Sequence, residues 1–313
     1  MKKIKLLLCL FMLTTLCGCS NSNKNASSKT LNAAMFWIST SLDPTNNYDG
    51  WVLSRIGVGE TLLKLNEKYE VEPCLAKSYE QIDDTTWKLT LKDSITFSNG
   101  KKVTGENVKA CLERAFEKNT RAIDYFDLNH VEAKGQDIYL YLNKSSGAIL
   151  NNLCEPLFTI YDASQSEEDI ANHPLCTGPF VVDDFGSEKT IDTSKNKKYY
   201  DGKAKLGHVH FSQVADSDAR VLALQSGEVD LANTIDYSSL KLFRNNKDYQ
   251  VLEVLGPRTN VIYMNNETTF LSDLTIRKAL SYSVNRKSIV KLIGGKEATG
   301  LYSSALPYGD VSN

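Results

Sequence analysis

The chain has 313 residues, 24% of them charged and 42% hydrophobic, with 36 Lys and Arg against 38 Asp and Glu for a net charge of −2. This is the composition of an ordinary folded protein rather than a disordered one. The near-balance, with no unbroken Lys/Arg block, argues against a nucleic-acid groove. Single cores rarely grow beyond about 250–300 residues, so more than one folding unit is expected.

Residues 1–19 read as an export signal: Lys2, Lys3 and Lys5 form a basic start, an apolar run follows, and Leu16-Cys17-Gly18-Cys19 ends it. The run is too short to span a bilayer as a helix. Its end resembles the lipobox of bacterial lipoproteins, which implies cleavage before Cys19 and acylation of that cysteine, hence a membrane-anchored, extracytoplasmic protein. Residues 20–30 (SNSNKNASSKT) are polar and suit a flexible tether. Of the seven cysteines, Cys9 and Cys17 would leave with the signal, and Cys74, Cys111, Cys154 and Cys176 remain beside the acylated one. In an exported protein these can oxidise, and Cys154 with Cys176 is the expected pair, Cys111 being placed on an apolar helix face. None shows C-x-x-C zinc spacing.

Residues 31–38 (LNAAMFWI) read as a strand, which must leave regular structure at Ser41-Leu42-Asp43-Pro44. Residues 48–64 (YDGWVLSRIGVGETLLK) fit a helix leading into a strand. The most informative stretch is 87–116, WKLTLKDSITFSNGKKVTGENVKACLERAF. Trp87, Leu89 and Leu91 alternate with polar residues as in a half-buried strand, and Ile95 and Phe97 resume the pattern. Ser98-Asn99-Gly100 closes a tight reversal. Thr104 is placed to cap a helix whose apolar face is Val108, Cys111, Leu112 and Ala115, with Glu106 at its positive end. Residues 130–142 read as a strand pair around Gly135-Gln136-Asp137, with 139–142 at a sheet edge. Residues 218–231 (DARVLALQSGEVDL) read as a helix capped by Gly227 and delivered into a strand. His208 and His210 share a strand face; with no third ligand beside them they are read as structural, and no metal site or cofactor is expected.

These landmarks resemble, in order, those of the bacterial solute-binding proteins that serve peptide and nickel ABC importers. The pattern W-x-L-x-L-(K/R)-(D/E)-x-(I/V)-x-F-S-(N/D)-G is carried by Trp87 to Gly100 and continues to Val108. Residues 73–79 (PCLAKSY) resemble the stretch before it, and Glu60-Thr61-Leu62 resembles the family's Y/F-E-x-L. Thr177-Gly178-Pro179-Phe180 resembles a G-T-G-P-(F/W/Y) motif, with Cys176 in place of its first glycine. Arg220, Leu224, Gly227, Glu228, Val229 and Asp230 match the family's helix-to-strand pattern, and residues 277–286 (RKALSYSVNR) match the first helix of its second lobe.

The resemblance implies an α/β, two-lobe periplasmic-binding-protein-like fold of type II with an extra inserted subdomain. It places the core of lobe one at 31–50 and 175–255, the inserted subdomain at 51–174, and the start of lobe two at 256–313, the second lobe being incomplete because family members continue further. A strand at 256–265 (GPRTNVIYMN) would cross between lobes. The implied ligand is a short peptide or a nickel chelate, delivered to ABC permease subunits by a monomer. Ligand-binding positions implied by motif or cleft position are Arg121, Asn233, Tyr237 and Arg258. For Arg121 two roles stay open: a fork for an anionic chelator, or a solvated guanidinium paired with Glu117 or Asp124. No G-x-S-x-G, G-x-x-x-x-G-K-[ST] or H-E-x-x-H pattern offers catalytic machinery, so no catalytic residue is assigned. The alternative function is a transport-inactive or signalling surface lipoprotein of the same family.

Overall fold

The computed structural model describes residues 30–298 and 300–306. The export signal, Cys19 and the expected tether up to residue 29 lie outside the described residues. The chain opens with β1 (Thr30–Met35), whose last three residues are buried, and reaches the short helix α1 (Gly50–Arg55) through a turn-rich loop. A two-stranded ribbon, β2 (Leu63–Leu65) and β3 (Val71–Pro73), precedes β4 (Ala76–Gln81) and β5 (Thr86–Leu91). Helix α2 (Gly105–Lys118) and the turn of helix α3 (Ala122–Tyr125) lead into β6 (Leu128–Lys134) and β7 (Asp137–Leu142). Short helices α4 (Ile149–Asn152) and α5 (Glu167–Asn172) come before β8 (Phe180–Gly186), β9 (Thr190–Lys195) and β10 (His208–Gln213). Helix α6 (Ser217–Ser226), β11 (Leu231–Ala232), α7 (Leu274–Ser283) and α8 (Arg286–Ile293) complete the order.

Two sheets carry the fold. The larger has the order β11-β1-β10-β9-β8, with β1 parallel to both β10 and β11 and the β10-β9-β8 side antiparallel. The second is antiparallel in the order β4-β5-β7-β6. Strand β7 is therefore an interior strand, which corrects the expectation of an edge at 139–142. Its alternation arises because Ile138, Leu140 and Leu142 face the core while Tyr139 and Tyr141 lie half-buried on the other face.

The signature stretch folds as its pattern dictates. Leu89 and Leu91 of β5 are fully buried, and Gly100 takes φ +92 in the reversal. The Thr104 hydroxyl accepts from the Asn107 backbone N–H, while the Asn107 side chain accepts from the Thr104 N–H, a reciprocal cap that satisfies two otherwise orphaned donors. Val108, Cys111, Leu112 and Ala115 are all buried. Helix α2 approaches the sheet closely at Gly105, where a Cβ would stand 2.8 Å from the Gly135 carbonyl oxygen. One hydrophobic cluster then runs from Met35 and Ile38 through Leu89, Leu140 and Phe158 to Val182 and Ile191, so both sheets share a core.

Cys74, Cys111, Cys154 and Cys176 are free thiols, and the expected Cys154–Cys176 bridge is not formed. Cys176 instead bridges Tyr161 through its backbone, and Cys111 Sγ donates to the Tyr161 carbonyl at 3.1 Å, while Cys154 Sγ turns to the Leu150 carbonyl of its own segment. Burial pushes the Cys74 thiol up to about 11 and the Cys111 thiol up to about 12, so neither is an ionised nucleophile at neutral pH. The strand expected at 256–265 does not form either. Val261, Ile262 and Tyr263 are exposed, and no described strand lies beside them to pair their backbone. No described helix is long and apolar enough to cross a membrane.

Candidate ligand-binding face

The loop after β1 is fixed by a partly buried ion pair. Asp43, from the Leu42-Asp43-Pro44 turn, receives both guanidinium nitrogens of Arg114 on α2, at 2.8 and 2.6 Å. The Thr45 N–H and hydroxyl also donate to it at 2.9 and 2.8 Å, and Arg114 reaches the Tyr161 hydroxyl at 2.9 Å. Burial alone would raise the Asp43 carboxyl, but the Arg114 and Thr45 hydrogen bonds outweigh it and hold the pKa below its ordinary value. Asn119, just past α2, donates from its amide to the Thr45 and Asn47 carbonyls at 3.0 and 3.2 Å. Asn47 accordingly sits at φ +47, and the chain emerges with Tyr48 and then α1 set against the body.

On this base stand three exposed rings: Phe36 at 37% exposure, Trp51 at 38% and Tyr48 at 55%. Large aromatic side chains left in water at the end of parallel strands mark a surface that meets something. The Arg121 guanidinium lies 3.8 Å from the Tyr48 ring centroid and donates to the Asn47 carbonyl at 2.9 Å and the Tyr125 hydroxyl at 2.6 Å. It makes no ion pair with Glu117 or Asp124 among the described residues. Arg55 lies 5.5 Å from the Trp51 ring and 5.7 Å from the Phe36 ring. Burial, and after it the repulsion of the Arg258 charge, lowers the Arg55 pKa. The carboxylate in the arrangement is Glu155, which accepts from Trp51 Nε1 at 2.9 Å and is raised above its ordinary pKa by burial, against the hydrogen bonds of Tyr125 and Trp51.

Two guanidiniums and three rings thus gather from segments far apart in the chain. Such a surface stacks planar groups and forks carboxylates. Among the described residues no group of three or more His, Cys, Asp or Glu is gathered to hold a metal. His210 Nδ1 instead meets Asp192 Oδ1 at 2.7 Å on the larger sheet.

Of the residues singled out from sequence, Arg121 lies at the centre of this face, while Arg258 enters only as a charge that Arg55 feels. Asn233 lies at its edge, where its side-chain oxygen accepts from the Phe36 N–H at 3.0 Å and positions that ring. Tyr237 is placed elsewhere: its ring packs against Gly294, at the end of α8, and under the Arg244 guanidinium at 4.8 Å. Phe36, Tyr48, Trp51, Arg55 and Glu155 went unmarked in sequence. A density of aromatics flanking the Leu42-Asp43-Pro44 turn was the one available signal.

The fold is a mixed α/β one that presents an exposed aromatic and cationic face. The sequence profile of the bacterial extracellular solute-binding proteins, family 5 (middle region), matches residues 70–313, and the chain belongs to that family. It is 31% identical over 296 residues to the nickel-binding protein NikA of Staphylococcus aureus, covering 94% of this chain and 59% of that protein. It is 27% identical over 260 residues to the glutathione-binding protein GsiB of Escherichia coli, covering 79% of this chain and 51% of that one. The crystal structure of the S. aureus NikA in complex with Ni(L-His)2 superposes with a TM-score of 0.79, over 90% of this chain and 60% of that one. The two-lobe α/β expectation agrees with that match, and the chain spans about three fifths of the length of these nickel-binding relatives.

Proposed function

We propose that the chain is the solute receptor of an ABC importer, without chemistry of its own, and that the face around Arg121 receives a carboxylate-bearing ligand: a nickel chelate or a short peptide. The observation that carries this reading is the gathering of Arg55 and Arg121 on the exposed rings of Phe36, Tyr48 and Trp51, with Arg258 assigned to the same face by the sequence resemblance. A chelator's carboxylates suit guanidinium forks, and its planar groups suit the rings. In this reading residues 31–50 and 175–255 form the core of lobe one, 51–174 its inserted subdomain, and 256–313 the start of lobe two. The protein works as a monomer held on the extracytoplasmic face by lipid on Cys19 and hands its cargo to the permease.

Nickel with L-histidine is the first ligand to try, because a relative covering 94% of this chain is a nickel-binding protein. Titration calorimetry of the chain with nickel and L-histidine, and separately with glutathione and short peptides, should give saturable heat with one class. Heat with neither would favour the transport-inactive or signalling reading. Turnover of an ester or phosphate would overturn the receptor reading altogether.

A further inference from the structure

We propose that the loop between β9 and β10, together with the turn at Ser98-Asn99-Gly100, forms a basic surface that rests on an anionic lipid bilayer. The proposal rests on the reading of Cys19 as acylated. Because β1 and β10 run parallel with Thr30 opposite His208, and Ser194 of β9 faces the same residue, the chain enters the sheet at the end where the 196–207 loop closes. The ligand face stands at the other end, beyond Met35. Ten residues lie between Cys19 and Thr30, and an extended chain spans at most about 3.5 Å per residue, so this end lies within about 40 Å of the anchored sulfur.

Charge gathers at that end. Lys197, Lys198, Lys203 and Lys205 are exposed on the loop, whose acid is Asp201. The fold adds two lysines from a distant segment: Lys198 Nζ donates to the Asn99 carbonyl at 2.7 Å, which brings exposed Lys102 alongside, and Lys92 Nζ lies 5.1 Å from the Tyr200 ring. None of these six enters an ion pair among the described residues, although Lys101 beside the same turn pairs with Asp162 and lysines elsewhere on the surface pair with Asp93, Asp137 and Glu167. Glu228 and Asp230 stand on the far side of β1, ahead of β11.

The loop is also braced from below. The Asn196 amide donates to the Gly178 carbonyl at 2.9 Å, and the Tyr199 and Tyr200 hydroxyls donate to one oxygen of Glu60 at 3.1 and 3.2 Å. The ammonium groups are therefore carried on a fixed base. Attraction between lysines and an anionic leaflet fades within a Debye length, about 10 Å at 0.1 M salt, so it acts on contact and is strengthened when something keeps the surface nearby. An anchor attached near the same sheet end supplies that closeness. The consequence is orientation: the sheet end bearing Thr30 faces the lipid and the ligand face is turned outward.

The test uses the full chain, recovered from cells fed labelled palmitate and reconstituted on vesicles of phosphatidylcholine alone or of equal parts phosphatidylcholine and phosphatidylglycerol. Lysines are then footprinted with an amine-reactive reagent and read by mass spectrometry. Lys197, Lys203 and Lys205 should label several-fold more slowly on the anionic vesicles, with Lys241 and Lys247 unchanged, and high salt should erase the difference. Equal labelling on both vesicles would overturn the proposal, as would protection that appears only when the permease is present. If no palmitate is incorporated, the anchor reading fails on its own. The chain should then still sediment with anionic vesicles, and changing Lys197, Lys203 and Lys205 to Glu should cut that binding about a hundredfold. Absence of sedimentation would sink the basic surface as well.

Discussion

Single side chains at the proposed ligand face divide into those placed to meet cargo and those that aim them. The Arg121 guanidinium has one hydrogen bond to a backbone carbonyl, one to Tyr125 and a ring beneath it, which leaves its outer edge open to the proposed ligand. Charge-assisted hydrogen bonds contribute about 1.5–3 kcal/mol each, so Arg121→Ala should weaken ligand binding about 10- to 100-fold in calorimetry. Arg121→Lys should recover only part of it, because a point charge cannot fork a carboxylate. Unchanged affinity in both variants would remove Arg121 from the site. Asp49 gives a stability signature instead. It is 4% exposed, and its carboxyl is raised from 3.8 to about 6 by burial, against a hydrogen bond from Asn46. The folded state therefore holds this proton more tightly than the unfolded chain does. Below about pH 4 both forms are protonated and the group costs nothing; between about pH 4 and about pH 6 the unfolded chain ionises first, and stability falls as pH rises. The full loss above that window is up to about 3 kcal/mol. Asp43 is held low, so its contribution is lost as pH falls toward the ordinary carboxylate range, outside this window. Urea midpoints should therefore decline from about pH 4 to about pH 6 in the native chain, with the decline flattened in Asp49→Asn.

At the scale of elements, the turn at Thr177-Gly178-Pro179 and the cap of α2 are the places where local sequence and tertiary demand coincide. A Cβ on Gly178 would stand 2.5 Å from the Gly57 carbonyl oxygen and 2.6 Å from that of Val58, both rigid backbone atoms. Gly178→Ala should then cost about 2 kcal/mol or more in urea unfolding, whereas Thr104→Ala, which loses only the cap, should cost about 1 kcal/mol. A cost at Gly178 no larger than at Thr104 would mean that the Gly57–Val58 segment yields easily. The same coincidence explains why residues 87–116 were legible: alternation, turn residues and capping residue each specify one local answer, and the neighbours along the chain are enough to satisfy it. The segment at 256–265 misled for the opposite reason, since an apolar run becomes a strand only when a second strand accepts its hydrogen bonds. The ligand face was hidden for a third. Phe36, Arg55, Arg121 and Glu155 share no spacing, and tertiary contacts such as the Asp43–Arg114 pair, the Asn119 bonds and the Trp51–Glu155 bond bring them together. The cysteines show the limit of counting: residue type and compartment suggested a bridge, but partnership is decided by which segments cross.

The whole molecule divides into a packed part and an uncovered one. From β1 to Phe243 the described chain buries its apolar residues against the two sheets. Beyond it, α7 and α8 bury none, and Leu252, Val254, Tyr263 and Tyr282 are 80% or more exposed. The described attachments to the packed part include the Tyr69 hydroxyl, which reaches the Leu255 carbonyl at 3.4 Å, and Tyr237, which packs on Gly294, while Ser303 only reaches the Gly256 carbonyl of the same uncovered part at 2.9 Å. Helices of ten and eight residues are marginal in water without an apolar face packed on something. Local opening free energy tracks buried contact, so the two parts should exchange amide hydrogens on different scales. In hydrogen-exchange mass spectrometry, peptides from β5, β7 and α2 should be protected for hours, while peptides covering 251–306 should exchange within the shortest labelling times. Ligand that bridges Arg121 and Arg258 would join the two parts, so adding it should slow exchange around 256–262 selectively. Uniform protection along the chain without ligand would show that 251–306 is covered in solution, and the same surface would then have to be described as an interface.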